Sequence, residues 1–265
     1  MVTPVDPGDS VDPGSPAGPG AEQGAGPAGP KNSAPAAAPP VGVGRADRPA
    51  IGWTEIGVSV VTYLVLQIAV GVVLFLIYRG PPPGIPLAAL AAISAGGAVA
   101  VAAAVRVRSP AALGLRRPSG RALLLGVGAG VLAWGLARGI IIGYVSATGD
   151  LSNPQAGFAA TASASTVSLL GLLAVGALLV PLGEELLFRG VLFAGLRRYG
   201  LTVAVVLSAV LFGAAHGLNV VGITAAVLGV LNALLYDRTR SIWPAVVAHA
   251  INNTIVFVSA AVLLG

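Results

Sequence analysis

Long apolar stretches separated by short polar segments dominate the chain after residue 50. We count seven of them, at Ile56–Tyr78, Ile85–Val105, Ala122–Tyr144, Val167–Leu196, Leu201–His216, Val220–Tyr236 and Trp243–Leu264. A helix needs about 20 residues to cross the hydrocarbon core of a bilayer, and open strands cannot stand in lipid. The first three stretches and the last meet that length, whereas the fifth and sixth are short. The pattern predicts an all-α, polytopic transmembrane bundle of about seven helices.

The fourth stretch, Val167–Leu196, is too long for one straight crossing. Pro181 and Gly183 interrupt it near its middle, and proline in a helix interior removes a backbone hydrogen bond. We therefore expect either a kink at this point or a short helix followed by a second one.

Composition agrees with a membrane protein. Hydrophobic residues make up 55% of the chain and charged residues only 9%, with a mean hydropathy of +0.88. Soluble domains carry about 25% charged residues, so this chain cannot build a water-exposed surface. Residues 1–50 differ: they hold 11 of the 20 prolines and no apolar run, which predicts a disordered tail before a transmembrane domain over residues 51–265.

The net charge of +5 predicts membrane orientation rather than nucleic-acid binding, because most arginines lie between apolar stretches. They cluster in three segments, as Arg106, Arg108, Arg116, Arg117 and Arg121, then Arg197 and Arg198, then Arg238 and Arg240. The alternate loops, around Asp150 and Gly217, have no Lys or Arg. The positive-inside rule then predicts a multi-pass protein of the cell membrane with a cytoplasmic N-terminus and an outside C-terminus.

Two carboxylates and two histidines interrupt the apolar stretches. Glu184 and Glu185 lie in the middle of the fourth, and the only two histidines, His216 and His249, lie in the fifth and seventh. Ionisable side chains inside a bilayer are costly, so they are functional candidates by default. Their coincidence is the main chemical signal in the sequence.

Spacing predicts that these residues meet. Glu184 precedes Gly200 by as many positions as His216 follows it, so on an antiparallel hairpin the two side chains reach the same depth. His249 and Asn253 are four residues apart and share one helix face. We therefore expect polar groups from three helices to converge on one buried point.

Some of these residues also have structural interpretations. Glu185 and Arg189, four residues apart, are expected to pair along the helix, which leaves Glu184 free to face the site. Such a pair can simply fix helix register, and a lone histidine can be a packing residue. Arg138 is expected to extend to the outer surface. Three further side chains are expected to form hydrogen bonds between helices: Asn219, Asn232 and Asn252.

The predicted cluster favours hydrolysis of an amide within the membrane. A carboxylate and an imidazole at one depth can share and deprotonate a water molecule, and a second histidine with an asparagine can donate hydrogen bonds to an oxyanion. The chain has no cysteine nucleophile and no H-E-x-x-H zinc motif. Ser208 is eight residues from His216 on the same stretch, too far for direct proton transfer.

Three short motifs carry a family resemblance. An E-E-x-x-x-R motif begins at Glu184, an F-x-x-x-H motif begins at Phe212, and an H-x-x-x-N motif begins at His249. In this order and spacing they resemble the CPBP family of intramembrane proteases, which includes CAAX prenyl endopeptidases and bacteriocin-processing or bacteriocin-immunity proteins. The resemblance covers about residues 165–260.

The resemblance implies a role for each motif residue. Glu184 would be the general base that activates water together with His216, and His249 and Asn253 would form the oxyanion site. The remaining motif residues would support the site: Glu185, Arg189 and Phe212. The substrate would be a membrane-embedded or lipidated peptide or protein, and membrane lipid would be the surrounding partner.

Two alternatives stay open. Glu184, His216 and His249 could supply the three protein ligands of a catalytic zinc, although a metal-free mechanism is slightly favoured. The protein could also be non-proteolytic, as a bacteriocin-immunity or scaffolding protein or a proton-coupled transporter, since proton relays use buried Glu, His and Arg. A transporter usually shows internal repeats or paired broken helices, and this sequence has one interrupted helix and no repeat.

Overall fold

The computed structural model describes residues 51–107 and 109–265, so the predicted disordered tail over residues 1–50 lies outside the described residues. Within the described part all regular structure is helical and there is no strand. The eight helices are α1 Trp53–Tyr78, α2 Gly84–Val105, α3 Gly120–Thr148, α4 Ala156–Ala164, α5 Thr166–Tyr199, α6 Leu201–Ala215, α7 Val220–Thr239 and α8 Trp243–Leu264.

Six of these helices are long and apolar enough to cross a membrane: α1, α2, α3, α5, α7 and α8. α6, with 15 residues, is shorter. Their outward faces expose large apolar side chains, such as Ile68 at 67% and Ile142 at 66%. Exposed apolar surface of this extent is stable only against lipid. The predicted all-α, multi-pass membrane architecture is confirmed.

The helix count differs from the predicted seven by one. The additional helix is α4, nine residues long, whose Ala, Ser and Thr content gives no long apolar stretch. α5 runs unbroken for 34 residues, so of the two expected alternatives the short helix followed by a second one is wrong. π-helical turns at Leu173–Leu179 and Leu186–Phe193 flank the α-helical turn that contains Pro181. The wider π-helical turn accommodates the proline without ending the helix.

Glycines set the spacing and register between α3 and α8. A Cβ on Gly126 would meet the carbonyl oxygen of Pro244, and a Cβ on Gly130 would meet the carbonyl oxygen of Ala248. Both pairs are offset by the same number of residues, so the two helices run parallel in a fixed register. This close approach, typical of small residues between membrane helices, fixes the position of α8.

α5 and α6 form the hairpin that the sequence predicts. Gly200, at φ +106°, joins them directly in a backbone conformation that favours glycine. α6 ends at Ala215, and the side chain of Asn219 then accepts hydrogen bonds from the backbone N–H groups of Val221 and Gly222, which caps α7. The expected interhelical role of Asn219 is therefore replaced by a capping role.

Replacing Gly130 by valine should destabilise the protein, because the new Cβ collides with backbone rather than with a movable side chain. Overpacking of this kind costs about 1–3 kcal/mol. Gly128 lies on the same helix and has open space where its Cβ would be, so Gly128→Val is the matched control. Thermal unfolding in detergent should show a lower midpoint for Gly130→Val only, and equal midpoints would contradict the packing described here.

Candidate active site

The first layer of the site is an ion pair inside α5. Arg189 Nε lies 3.1 Å from Glu185 Oε2, and Arg189 Nη1 donates a hydrogen bond of 3.2 Å to Glu185 Oε1. Both side chains are completely buried. The expected pairing four residues apart is present, and it neutralises two charges that could not otherwise be buried.

Residues from two more helices complete this network. Glu185 Oε1 also accepts hydrogen bonds from Asn232 Nδ2 on α7, at 2.9 Å, and from His249 Nδ1 on α8, at 3.0 Å. Arg189 Nη2 donates to the carbonyl oxygen of Gly229 on α7, at 3.0 Å. A single carboxylate thus links α5, α7 and α8 and orients the imidazole ring of His249.

Phe212 covers one side of this network. Its ring is fully buried, with the Arg189 guanidinium 4.7 Å from its centroid. The same ring contacts both imidazoles, at centroid distances of 4.6 Å for His216 and 5.6 Å for His249. Phe212 therefore holds the two histidine rings apart while it shields the ion pair from the site.

Glu184 faces away from the network and toward the two histidines. Its Oε2 atom is buried and has no hydrogen-bond partner among the described residues. It lies 3.9 Å from Nε2 of His216 and 3.9 Å from Nε2 of His249. These separations are too long for direct hydrogen bonds, and they leave room for a water molecule held between the groups.

The partners of the other ring nitrogens assign the histidine hydrogens. His216 Nδ1 lies 2.8 Å from the carbonyl oxygen of Phe212, and His249 Nδ1 lies 3.0 Å from Glu185 Oε1. Because a carbonyl or carboxylate oxygen only accepts, both Nδ1 atoms carry a hydrogen in this assignment. In the neutral rings, both Nε2 atoms then present lone pairs toward Glu184.

Asn253 is held by the first π-helical segment of α5. Its Nδ2 donates to the carbonyl oxygen of Gly176 at 3.0 Å, and its Oδ1 accepts from Asn252 Nδ2 at 3.1 Å. π-helical turns commonly occur at functional sites. One amide hydrogen of Asn253 is therefore used structurally and the second is left for another acceptor.

These groups open onto a cavity of about 200 Å³. The predicted site residues that line it are Glu184, Phe212, His216, His249 and Asn253. Glu185 and Arg189 lie behind it, in the buried network. The structure thus brings all seven predicted residues together in one pocket and its supporting layer.

The cavity also contains residues that sequence reasoning did not place there. Tyr63 and Gln67 line it from α1, where Gln67 Nε2 donates to the Tyr63 hydroxyl at 2.9 Å. Asn232 lies behind the cavity and forms the expected hydrogen bond between helices, from α7 to the carboxylate of Glu185 on α5. No motif marks these positions, so only their polarity within apolar stretches could have drawn attention to them.

Arg138 lines the cavity, a contact that the sequence did not predict. α3 continues to Thr148, so Arg138 lies well inside the helix rather than near its end, and it lines the cavity. The apolar stretch predicted from the sequence ends earlier, at Tyr144, so it places Arg138 closer to the membrane surface. Its side chain is also exposed, so its expected extension to the outer surface stays a prediction.

Zinc ligation by Glu184, His216 and His249 stays a prediction. Two ligands bound to one tetrahedral zinc lie about 3.3 Å apart, whereas Glu184 Oε2 is 3.9 Å from each imidazole Nε2. Within residues 51–107 and 109–265, no three His, Cys, Asp or Glu side chains are grouped so as to hold a metal ion.

The fold and the site define a class, which is a multi-pass membrane protein with a buried glutamate–histidine cluster at a cavity. Residues 166–255 match the family model described as type II CAAX prenyl endopeptidase Rce1-like. The matched region contains the three motifs that carry the resemblance to the CPBP family. Comparisons with curated proteins and with solved structures found no match.

Removing one member of the buried ion pair should be far more costly than removing one member of a surface pair. Glu185→Ala leaves Arg189 buried without its counter-charge, a loss of about 3–5 kcal/mol. Asp237→Ala breaks a partly exposed pair with Arg197 and should cost about 0.2–1 kcal/mol. Thermal unfolding in detergent measures both, and Glu185→Met combined with Arg189→Met should recover much of the loss. A similar cost for Glu185→Ala and Asp237→Ala would contradict this network.

Proposed function

We propose that this protein is an intramembrane endopeptidase that hydrolyses a peptide bond of a membrane-associated protein or peptide. The supporting observation is the buried Oε2 of Glu184, unpaired among the described residues and 3.9 Å from two imidazole nitrogens, at a cavity large enough for water. The family match over the same helices supports the same reaction class.

In this proposal Glu184 and His216 activate a water molecule. The water donates hydrogen bonds to Glu184 Oε2 and to His216 Nε2. This orientation leaves a lone pair of the water oxygen available to attack the substrate. His216 suits this role because its side chain is 25% exposed, whereas that of His249 is 3% exposed. As the water oxygen bonds to the scissile carbonyl carbon, one proton passes to Glu184 and the carbonyl oxygen becomes an oxyanion.

His249 and Asn253 are proposed to bind that oxyanion. Asn253 has one amide hydrogen that is not used by Gly176. His249 already donates Nδ1–H to Glu185, so it can donate from Nε2 only when both ring nitrogens carry hydrogens. The adjacent carboxylate of Glu185 would stabilise that charged ring. Breakdown of the intermediate cleaves the C–N bond, and the proton held by Glu184 passes to the leaving amine.

The orientation of the protein follows from the arginine-rich loops. Ser241 Oγ donates to the carbonyl oxygen of Arg116, and Ile242 N donates to that of Gly114, so two of these loops meet at one end of the bundle. An ion pair between Arg197 and Asp237 brings the third arginine-rich segment to the same end. By the positive-inside rule this end is proposed to be cytoplasmic, with the C-terminus outside.

Removing the base should abolish cleavage. In membranes or liposomes, Glu184→Gln and His216→Ala should each lower the cleavage rate of membrane-anchored peptides by about 10² or more, measured by mass spectrometry. Glu55→Gln is the control, since Glu55 pairs with Arg106 and does not line the cavity. The proposal fails if all three variants cleave like the wild type, or if the wild type cleaves no peptide while proton flux depends on Glu184.

A metal chelator should leave the cleavage rate unchanged, because the proposed base and its water need no Lewis acid. The measurement is the rate of the purified enzyme before and after chelation, together with the amount of bound zinc. One equivalent of zinc with chelator-sensitive cleavage would replace this mechanism by a metal-dependent one.

A further inference from the structure

Two polar side chains, Tyr63 and Gln67, interrupt the most apolar helix of the described residues. α1 has the highest mean hydropathy of the six candidate spans, 2.7, and it carries no polar side chain from Ile68 to Ile77. An amide in a membrane span is costly unless it is hydrogen-bonded or faces a polar cavity. Both side chains line the cavity that contains Glu184, although α1 lies outside the region that matches the family model.

A chain of hydrogen bonds orients this pair. Ser94 Oγ, on α2, donates to Gln67 Oε1 at 3.4 Å, and Gln67 Nε2 donates to the Tyr63 hydroxyl oxygen at 2.9 Å. Because an amide nitrogen only donates, the hydroxyl accepts there and keeps its own hydrogen in this assignment. That hydrogen has no acceptor among the described residues, so it is available to a group inside the cavity.

Helix packing explains the ring of Tyr63 but not its hydroxyl. The ring packs edge to face on Phe188 of α5, with centroids 6.4 Å apart, and a phenylalanine would make the same contact. The hydrogen bond that links α1 to α2 runs from Ser94 to Gln67 and does not use the hydroxyl hydrogen. The hydroxyl therefore has no structural role that a phenylalanine ring could not fill, apart from accepting the bond from Gln67.

The depth of the pair follows from the register of α1 against α5. A Cβ on Gly195 would meet the side chain of Ile56, and the ring of Tyr63 contacts that of Phe188. Tyr63 comes as many positions after Ile56 as Phe188 comes before Gly195. The two helices therefore run antiparallel in one register along this length.

This register places Gln67 opposite Glu184. Gln67 is four residues after Tyr63 and Glu184 is four residues before Phe188, so each lies about one turn further toward the same end of the bundle. Phe188 also packs edge to face on Phe212, with centroids 4.9 Å apart, and Phe212 contacts both imidazoles. The polar pair of α1 is thus at the depth of the proposed base.

The oxyanion needs donors that are in place before the reaction. Of the two groups proposed to bind it, only Asn253 is neutral, because His249 donates from Nε2 only when its ring is charged. A tyrosine hydroxyl is a neutral donor of the kind that forms oxyanion sites, and it requires no proton uptake. Tyr63 provides such a donor from the α1 side of the same cavity.

We propose that the Tyr63 hydroxyl donates a further hydrogen bond to the oxyanion of the tetrahedral intermediate, and that Gln67 positions this hydroxyl. The inference rests on the proposed function of the same cavity. Tyr63 keeps its proton throughout, so the atom and charge balance of the hydrolysis is unchanged. Because the carbonyl oxygen gains charge as water attacks, the bond is stronger in the transition state than in the bound substrate, which raises kcat.

The kinetic test is the removal of one oxygen atom. Tyr63→Phe should lower kcat for a membrane-anchored peptide by about 10² or more and change KM little, as the loss of one oxyanion donor does. Tyr144→Phe is the matched control, since the Tyr144 hydroxyl donates to Asp150 and does not line this cavity. It should cleave like the wild type, and both variants should have similar unfolding midpoints in detergent. Cleavage at the wild-type rate by Tyr63→Phe, when Glu184→Gln is inactive, would overturn the inference and leave the proposed function intact.

The positioning role of Gln67 has its own test. Gln67→Met removes the amide that orients the hydroxyl and should lower kcat by about tenfold. Added to Tyr63→Phe, the same change should cause no further loss, because Gln67 acts through the hydroxyl. An equal loss in both backgrounds would contradict this role.

A binding test does not depend on turnover. A peptide with a phosphinate in place of the scissile amide presents a tetrahedral centre with an anionic oxygen, and it is compared with the parent amide peptide in the Glu184→Gln background. Adding Tyr63→Phe should weaken binding of the phosphinate peptide by about tenfold or more and leave that of the amide peptide unchanged, as measured by the shift in unfolding midpoint.

The outcomes of the binding test separate the two claims. A phosphinate peptide that binds more tightly than the amide peptide, but equally with and without the Tyr63 hydroxyl, would overturn the inference alone. A phosphinate peptide without any advantage, together with a wild type that cleaves no peptide, would overturn the proposed function and the inference with it.

Discussion

The buried carboxylate of Glu185 is the interaction on which the rest of the site depends. It neutralises Arg189, accepts a hydrogen bond from Asn232 and orients His249, so one side chain ties α5, α7 and α8 together inside the bilayer. Because Glu185 already pairs with Arg189, Asn232 and His249, the fold does not require the adjacent Glu184 as a partner for these groups. Glu185 therefore stabilises the fold, whereas Glu184 lines the cavity with its Oε2 unpaired among the described residues.

The backbone of this protein supports that division. π-helical turns in α5 accommodate Pro181 and expose the carbonyl oxygen of Gly176, to which Asn253 is bound. Glycines on α3 let α8 approach closely enough to bring His249 to Glu185. Small residues and irregular helix geometry, which weaken a soluble helix, here determine where the polar groups meet.

The sequence predicts most of the fold and much of the site for a simple reason. A charged group in a membrane span is rare, so Glu184, Glu185, His216 and His249 stand out without an alignment, and helix periodicity gives their relative depth. α4 could not be predicted because it is short and weakly apolar. The contact of Arg138 with the cavity could not be predicted because it depends on which face of α3 meets the cavity, which the local sequence pattern does not determine.

Glu184 and His216 are proposed to hold one water molecule in a membrane-embedded cavity, and the proposed chemistry depends on that water. An experimental structure of the protein in a lipid nanodisc, at a resolution that shows ordered water, tests it most directly. We predict a water within about 2.6–3.2 Å of both Glu184 Oε2 and His216 Nε2. A metal ion in that position, or a Glu184 side chain directed away from both imidazoles, would contradict the account.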